Sequence, residues 1–297
     1  MRLPGTLLRL GSGLAAIALL AIAPGCSRTH GPRLARPDGG PITGYLTSQG
    51  VRLSYRYDVP SRGVAPFPAV VIGHGSGETR KEACRSMGDR LLDRGYAVLC
   101  YDKRGVGDST GVYASVGPVD SHERIPDLAW DMVAGVKFLR SRREVDRNRV
   151  GLVGGSQAGW VIPHAARLAE ADFMIILVGP TVTVGEEIYY SGFAEGTTTP
   201  LARLRDVLDG YTGPRGFDPR PDLEALDVPG LWLLAGADRS IPTDASVRIL
   251  DELIAQGKPY HRKIYPGAGH GLQGVNVWPD VDQFLSMLGG RLPDRRP

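Results

Sequence analysis

Two kinds of apolar pattern follow one another along the chain. Residues 45–48 and 51–59 alternate apolar with polar side chains on either side of Gln49-Gly50, which predicts an antiparallel hairpin. Farther on, short continuous apolar runs replace the alternation, as strands buried on both faces of a parallel sheet require. These runs cover 69–72, 96–99, 150–153, 173–178 and 231–234, and 260–265 is predicted as a last strand.

Segments with apolar residues at helical spacing separate these runs. The predicted helices cover 87–94, 128–139, 161–168, 247–254 and 281–288. Strand and helix in repeated alternation predict an α/β domain, with a mostly parallel sheet and helices on both faces. Residues 181–229 separate two buried strands without a strand of their own, which predicts an inserted cap above the sheet.

Composition narrows the functional classes. The chain has 297 residues, of which 42% are hydrophobic and 23% charged, as in ordinary globular proteins. Its formal net charge is only +3 and its cations are scattered, so we expect no nucleic-acid partner. The three cysteines lack the paired spacing of a zinc site, so we expect no metal. Cys84 and Cys100 lie in predicted core segments; we favour free thiols, with a disulfide as the alternative.

The amino terminus has the features of an export signal. Residues 1–25 hold two arginines followed by the apolar run 14–23, which is short for a membrane span. The run leads to Ala23-Pro24-Gly25-Cys26, which resembles a bacterial lipobox, although Ala23 stands where leucine is usual. We therefore expect export and attachment to a bacterial membrane through lipidated Cys26. A periplasmic or secreted protein is the alternative.

Residues 26–41 contain proline, glycine and arginine with almost no apolar residues, which predicts a flexible tether. The globular domain is then expected to cover residues 42–293. It contains no internal repeat that would indicate a solenoid.

A glycine-rich turn follows the predicted strand 150–153 and opens the next helix. Its sequence is Gly154-Gly155-Ser156-Gln157-Ala158-Gly159. Here the chain resembles the α/β-hydrolases, whose nucleophile elbow is such a strand-turn-helix segment. Ala158 stands where the G-x-S-x-G pattern has glycine, and we treat it as a permitted variant. The resemblance implies that Ser156 is the nucleophile and that the fold is that of an α/β-hydrolase.

Hydrolases of this fold supply an acid and a base in the chain order Ser, Asp, His. Asp238 directly follows the strand 231–234 and matches the acid, although aspartate is also common in turns. His270 lies in a glycine-lined loop after the last strand and matches the base, because an imidazole exchanges protons near neutral pH. His164 and His261 are expected to be packing or surface residues, and Asp244 a helix cap.

A second turn, Gly73-His74-Gly75-Ser76-Gly77, ends the strand 69–72. The resemblance implies that the backbone N–H groups of Ser76 and Gln157 form an oxyanion hole. We expect His74 to be structural.

The segment that begins at Asp102 resembles the D-x-R-G-x-G-x-S loop of the same superfamily. Its glycines allow a tight turn, and we expect Asp102 and Arg104 to tie the loop near the elbow. Binding of an anionic substrate by Lys103 and Arg104 is the alternative.

The resemblance extends from about residue 42 to 292 and is nearest to serine hydrolases described as dienelactone-hydrolase-like or serine-aminopeptidase-like. It implies hydrolysis of a small-molecule carboxylic ester through an acyl-enzyme, with no metal or organic cofactor. Aminopeptidase or amidase activity on a short peptide is the alternative. Its sequence hint is Glu186-Glu187 in the cap, which would hold an α-amino group unless the pair is simply a solvated helix start. A third hypothesis is an inactive lipid-anchored binding protein.

Overall fold

The computed structural model describes residues 40–289. The expected signal peptide, nearly all of the tether and Cys26 lie outside the described residues, so export and lipidation stay predictions.

Eight strands form a single sheet in the order β1-β2-β4-β3-β5-β6-β7-β8. Strand β2 pairs antiparallel with β1 and β4, and all other neighbours are parallel. Gln49 and Gly50 both have positive φ, as the hairpin turn between β1 and β2 requires. The predicted hairpin and parallel sheet are thus confirmed. The strands are β1 (Ile42–Ser48), β2 (Val51–Asp58), β3 (Phe67–Ile72), β4 (Ala97–Tyr101), β5 (Val145–Gly155), β6 (Phe173–Leu177), β7 (Gly230–Ala235) and β8 (Tyr260–Tyr265).

Helices cover both faces of the sheet. On one face α2, α3 and α7 bury apolar side chains in a large core, and on the other α1 and α8 enclose a second core. Alternate residues of the central strands belong to opposite cores, as with Val70 and Val71 of β3. The helices are α1 (Arg85–Leu92), α2 (Ser121–Arg140), α3 (Ala158–Ala169), α4 (Val184–Ala194), α5 (Leu201–Leu204), α6 (Arg220–Ala225), α7 (Thr243–Ala255) and α8 (Trp278–Leu288).

The segment between β6 and β7 contains helices α4, α5 and α6 and a 3₁₀ turn at Val207–Gly210. Tyr190, Ala194 and Leu204 form a small apolar cluster within it. Of the aromatic residues in this segment, Phe217 instead joins the main core. The helices of this segment therefore pack partly on their own cluster and partly on the main core.

Cys84 and Cys100 are buried free thiols, which agrees with the favoured prediction. Across residues 40–289, no helix has the length and apolar character needed to cross a bilayer.

Candidate active site

The candidate residues follow the carboxyl ends of parallel strands. Ser156 comes directly after β5, Asp238 after β7 and His270 after β8, while the turn with His74 follows β3. Parallel strands present these ends along one edge of the sheet, where α/β proteins bind their ligands. The topology thus brings together residues that are 114 positions apart in the chain.

Ser156 occupies a strained turn. Its φ of 56° lies in the left-handed region, which side chains other than glycine rarely adopt. The turn also needs small neighbours: a Cβ added at Gly154 would lie 2.7 Å from the Cβ of Ala158, and one at Gly159 would lie 2.7 Å from Pro180. Ala158 fits because glycine, not a larger residue, faces it at position 154. The turn directs a nearly buried serine toward the edge of the sheet.

A continuous hydrogen-bond chain joins the three side chains. Ser156 Oγ lies 3.1 Å from His270 Nε2, and His270 Nδ1 lies 2.9 Å from Asp238 Oδ2. A carboxylate only accepts hydrogen bonds, so it selects the imidazole tautomer with the proton on Nδ1. In that tautomer Nε2 accepts the hydroxyl hydrogen of Ser156. The arrangement can take a proton from the serine as its oxygen attacks.

The carboxylate of Asp238 is fixed from several sides. Its Oδ1 accepts hydrogen bonds from the backbone N–H groups of Ser240 and Ile241, both at 2.9 Å. Its side chain has no exposed surface. From the inserted segment, Tyr190 donates its hydroxyl hydrogen to the carbonyl oxygen of Asp238 at 2.9 Å. Only Oδ2 remains to face His270, so the acid has one orientation. The contact from Tyr190 joins residues 48 positions apart, and no sequence signal marked it.

The turn after β3 passes beside the serine. A Cβ added at Gly75 would lie 3.4 Å from the Cβ of Ser156 and 3.9 Å from its Oγ. Gln157 begins the turn into α3. Within residues 40–289, no backbone carbonyl outside the regular elements accepts a hydrogen bond from the N–H of Ser76 or Gln157. The two segments that carry the predicted donors therefore meet at Ser156.

His74 has a structural environment. Its Nε2 makes a 2.5 Å hydrogen bond to the carbonyl oxygen of Tyr101, and the ring packs edge-on against that tyrosine. Burial, with a smaller contribution from the charge of Lys103, lowers the pKa of His74 to about 4, although the hydrogen bond to Tyr101 opposes this shift. The neutral imidazole thus links the turn after β3 to the end of β4, which agrees with the structural role predicted for His74.

The loop after β4 is tied down differently from what we expected. Asp102 accepts hydrogen bonds from Lys81 and from the N–H of Asp108, and Arg104 pairs with Asp131 of α2 through two hydrogen bonds. Neither side chain holds the loop at the elbow. Lys103 does so instead, because its Nζ lies 2.9 Å from Gln157 Oε1. Lys103 and Arg104 both have protein partners, which leaves little support for the alternative of an anionic substrate.

The two acidic residues in the first turn of α4, Glu186 and Glu187, differ in their surroundings. Glu186 completes a capping box with Thr183 and forms an ion pair with Arg215, so it caps α4. Glu187 is partly buried, and no ion pair or hydrogen bond engages its carboxylate within residues 40–289. Burial, with the charges of Glu195 and Asp238, raises the pKa of Glu187 to about 8.

The remaining candidates lie away from the serine. His164 is hydrogen-bonded to Asp222, and His261 is an exposed residue of β8, as expected for packing or surface histidines. Asp244 lies in the first turn of α7 and pairs with Arg205, so the prediction that it caps the helix is wrong: Pro242 occupies the cap position.

A cavity of about 250 Å³ adjoins the buried side of Asp238, between the inserted segment and the ends of β7 and β8. Leu201, Leu204 and Tyr190 contribute to its wall. Among residues 40–289, no three His, Cys, Asp or Glu side chains cluster so as to hold a metal ion.

Comparison with protein families gives a match over residues 87–286 to the model described as the prolyl oligopeptidase family, which covers more than half of the chain. The quorum-quenching protein AidA of Acinetobacter baumannii is 31% identical over 119 residues, 40% of this chain and 37% of that protein. The acylamino-acid-releasing enzyme of Mus musculus is 25% identical over 247 residues, 74% of this chain and 30% of that enzyme. The chain spans less than half the length of the first curated relatives it matches.

Among solved structures, an esterase of Pyrococcus furiosus superposes with a TM-score of 0.62 at 19% identity, covering 88% of this chain and 100% of the esterase. At that identity the likeness shows the fold alone. The family match and the fold together place the chain among hydrolases of the α/β-hydrolase type.

Proposed function

Because the chain belongs to the prolyl oligopeptidase family, we propose that it is a serine hydrolase that cleaves carboxylic esters through Ser156, His270 and Asp238. The observation that carries the proposal is the hydrogen-bond chain of 3.1 Å and 2.9 Å from Ser156 through His270 to Asp238. The positive φ of Ser156 and the turn after β3 that passes beside it support the same assignment.

In the proposed mechanism, Ser156 Oγ attacks the ester carbonyl carbon while His270 Nε2 takes the hydroxyl proton. The carbonyl oxygen becomes an oxyanion that accepts hydrogen bonds from the N–H groups of Ser76 and Gln157. The tetrahedral intermediate collapses, and His270 passes the proton to the departing alcohol. Water, deprotonated by His270, then attacks the acyl-enzyme; the acid leaves, and His270 returns the proton to Ser156 Oγ.

Asp238 keeps the proton of His270 on Nδ1 and stabilises the imidazolium that forms at each transfer. Its two hydrogen bonds from backbone N–H groups hold the carboxylate in place while the imidazole changes charge. Each backbone donor to the oxyanion contributes about 3 kcal/mol to lowering the barrier, because the charge forms where water is largely excluded.

The test compares the wild-type protein with Ser156→Ala on p-nitrophenyl acetate and with a fluorophosphonate probe. Ser286→Ala is the matched control, because Ser286 is an exposed serine on α8. We expect turnover and a mass-mapped adduct at Ser156 in the wild type and the control, and neither in Ser156→Ala. A well-folded wild-type protein that is never labelled would favour the inactive binding protein instead.

The second candidate function is cleavage of the amide bond that follows the first residue of a substrate with a free amino group. The observation that favours it is the carboxyl of Glu187, which has no protein partner within the described chain and is close enough to Asp238 for their charges to interact. An ammonium group from a substrate would lower the pKa of this carboxyl group, so that Glu187 releases its proton to solvent and pairs with the ammonium as a carboxylate. Glu186 does not contribute, because the capping box and Arg215 engage it.

This second function predicts a selective effect of Glu187→Gln. Cleavage of an aminoacyl p-nitroanilide with a free amino group is expected to fall at least tenfold, with little change for p-nitrophenyl acetate. Glu123→Gln, an exposed position on α2, is the control. Equal losses on the two substrates would reject recognition of an amino group by Glu187.

A further inference from the structure

Lys103 has an unusual position for a lysine. Only 3% of the residue is exposed, and its Nζ donates to three acceptors that belong to two other segments. The distances are 2.8 Å to the carbonyl oxygen of Gly75, 3.2 Å to that of Gly77 and 2.9 Å to Gln157 Oε1. The first two acceptors flank Ser76, and the third is the side chain of the residue after Ser156. The ammonium group therefore contacts both segments that are proposed to supply oxyanion donors.

We propose that Lys103 is a positioning residue for the oxyanion hole: its ammonium group fixes the direction of the Ser76 and Gln157 N–H groups and adds positive charge behind them. This inference rests on the proposed hydrolysis at Ser156.

The contact to Gly75 acts on Ser76 through the geometry of the peptide bond. The carbonyl of Gly75 and the N–H of Ser76 belong to one planar trans unit, so they point in opposite directions. When Lys103 binds the carbonyl oxygen from one side, the N–H is held facing the other way. A hydrogen bond to the carbonyl also polarises the unit and makes its N–H a stronger donor.

The contact to Gln157 acts on the second donor. Gln157 follows the strained residue Ser156 and has helical dihedral angles at the start of α3, so a contact that holds its side chain also restrains the turn that carries its N–H. Lys103 engages the only acceptor oxygen of that side chain. The same ammonium thus links both donors, which keeps their separation constant while charge develops on the substrate.

A purely structural tie would not require a charge. All three acceptors of Lys103 are neutral, and the carboxylates of Asp131 and Asp102 have other partners: Asp131 pairs with Arg104, and Asp102 pairs with Lys81. Burying a cation without a bound carboxylate is unfavourable, because the cation loses its hydration without gaining an opposite charge. A positive charge at this place does lower the energy of an oxyanion, which exists only during the reaction.

The surroundings of Lys103 predict a pH dependence. Burial lowers the pKa of Lys103 to about 8, and the charge of Asp131 opposes that effect. His74 faces it as a neutral group, and the ring of Tyr113 lies 5.5 Å from its Nζ. Above pH 8 the neutral amine has two hydrogens for three acceptors, so one hydrogen bond and the charge are lost. Activity should therefore decline as the pH rises through about 8.

The test uses Lys103→Met, which keeps an unbranched side chain one heavy atom shorter and removes the ammonium group, and Lys103→Arg, which keeps the charge. Lys137→Met, at an exposed lysine of α2, is the control. On p-nitrophenyl acetate, Lys103→Met should lose about 10²-fold in kcat with KM changed less than threefold, as expected for misplaced transition-state donors. Affinity for phenylboronic acid, whose tetrahedral adduct with serine places an oxygen in the oxyanion hole, should fall in parallel. Lys103→Arg should restore part of both and lose the decline near pH 8.

A folded Lys103→Met with kcat within threefold of the wild type, or with unchanged boronate affinity, would overturn the inference. If Lys103→Met does not fold, the pH profiles of kcat/KM for the wild type and for Gln157→Met are compared instead. A wild-type profile that is flat from pH 7 to 9.5 overturns the inference. A decline in the wild type that shifts in Gln157→Met supports it. Fluorophosphonate labelling of wild-type Ser156 separates the two proposals. If Ser156 is labelled but Lys103→Met changes neither kcat nor boronate affinity, only this inference is rejected. If Ser156 is not labelled, both the proposed function and this inference are rejected.

Discussion

Replacing Asp238 by asparagine isolates the tautomer that the proposed mechanism needs. Oδ1 of Asp238 accepts two backbone N–H hydrogen bonds, from Ser240 and Ile241, each 2.9 Å long. In Asp238→Asn only the amide oxygen can accept those bonds, so the NH₂ group must point toward His270. The amide then donates to Nδ1, the proton of the imidazole moves to Nε2, and Nε2 can no longer accept the hydrogen of Ser156.

The size of this effect follows from the geometry. The side chain is isosteric and stays hydrogen-bonded, so the free energy of unfolding should change little. The wrong tautomer in a Ser-His-Asp triad costs about 10⁴-fold in kcat, which corresponds to about 5.5 kcal/mol of barrier. We expect that loss on p-nitrophenyl acetate, with thermal unfolding within a few degrees of the wild type. A folded Asp238→Asn protein that keeps more than a tenth of wild-type kcat would refute the assignment of Asp238.

Three further outcomes are expected. Gly154→Ala should lower the free energy of unfolding by about 1–3 kcal/mol in urea titrations, because its Cβ would meet that of Ala158, whereas Gly192→Ala, with open space around it, should not. Because the pKa of His74 is lowered in the folded protein, a falling pH protonates this imidazole in the unfolded chain before it does so in the folded one. The wild type should therefore lose up to about 3 kcal/mol of stability as the pH falls from 6.5 to about 4, and urea titrations of His74→Gln should show a smaller loss. Cys26→Ser should abolish incorporation of labelled palmitate and membrane fractionation in a bacterial host, whereas unchanged fractionation would contradict lipid anchoring.

The sheet was predictable because burial on both faces leaves a continuous apolar run. The central strands β3, β6 and β7 show such runs, and each was located within two residues of its observed ends. The start of β5 was missed. It begins at Val145, where it pairs with Phe67, but four polar residues follow Val145 before the buried part begins. Hydrophobic periodicity carries no signal where a strand extends beyond the core.

The three candidate side chains of the site were predictable for a related reason. Ser156, Asp238 and His270 each follow a recognisable strand, and parallel strands bring their carboxyl ends to one edge whatever lies between them in the chain. Their contact is a property of the sheet. Whether they carry out the proposed chemistry is the question for the Ser156→Ala and Asp238→Asn measurements.

The contacts between loops were not predictable, and the segment Asp102-Lys103-Arg104 shows why. The sequence suggests that Asp102 and Arg104 hold the elbow, yet Arg104 turns toward Asp131 on α2 while Lys103 reaches Gln157. In a loop, no periodicity fixes which of two adjacent cations points inward, and both are ordinarily solvated. The direction is decided by acceptors from distant segments, here the carbonyl groups on either side of Ser76. Because those acceptors are backbone atoms, no pattern of side chains predicts them. A residue that contacts both turns beside Ser156 therefore looks in the sequence like any surface lysine.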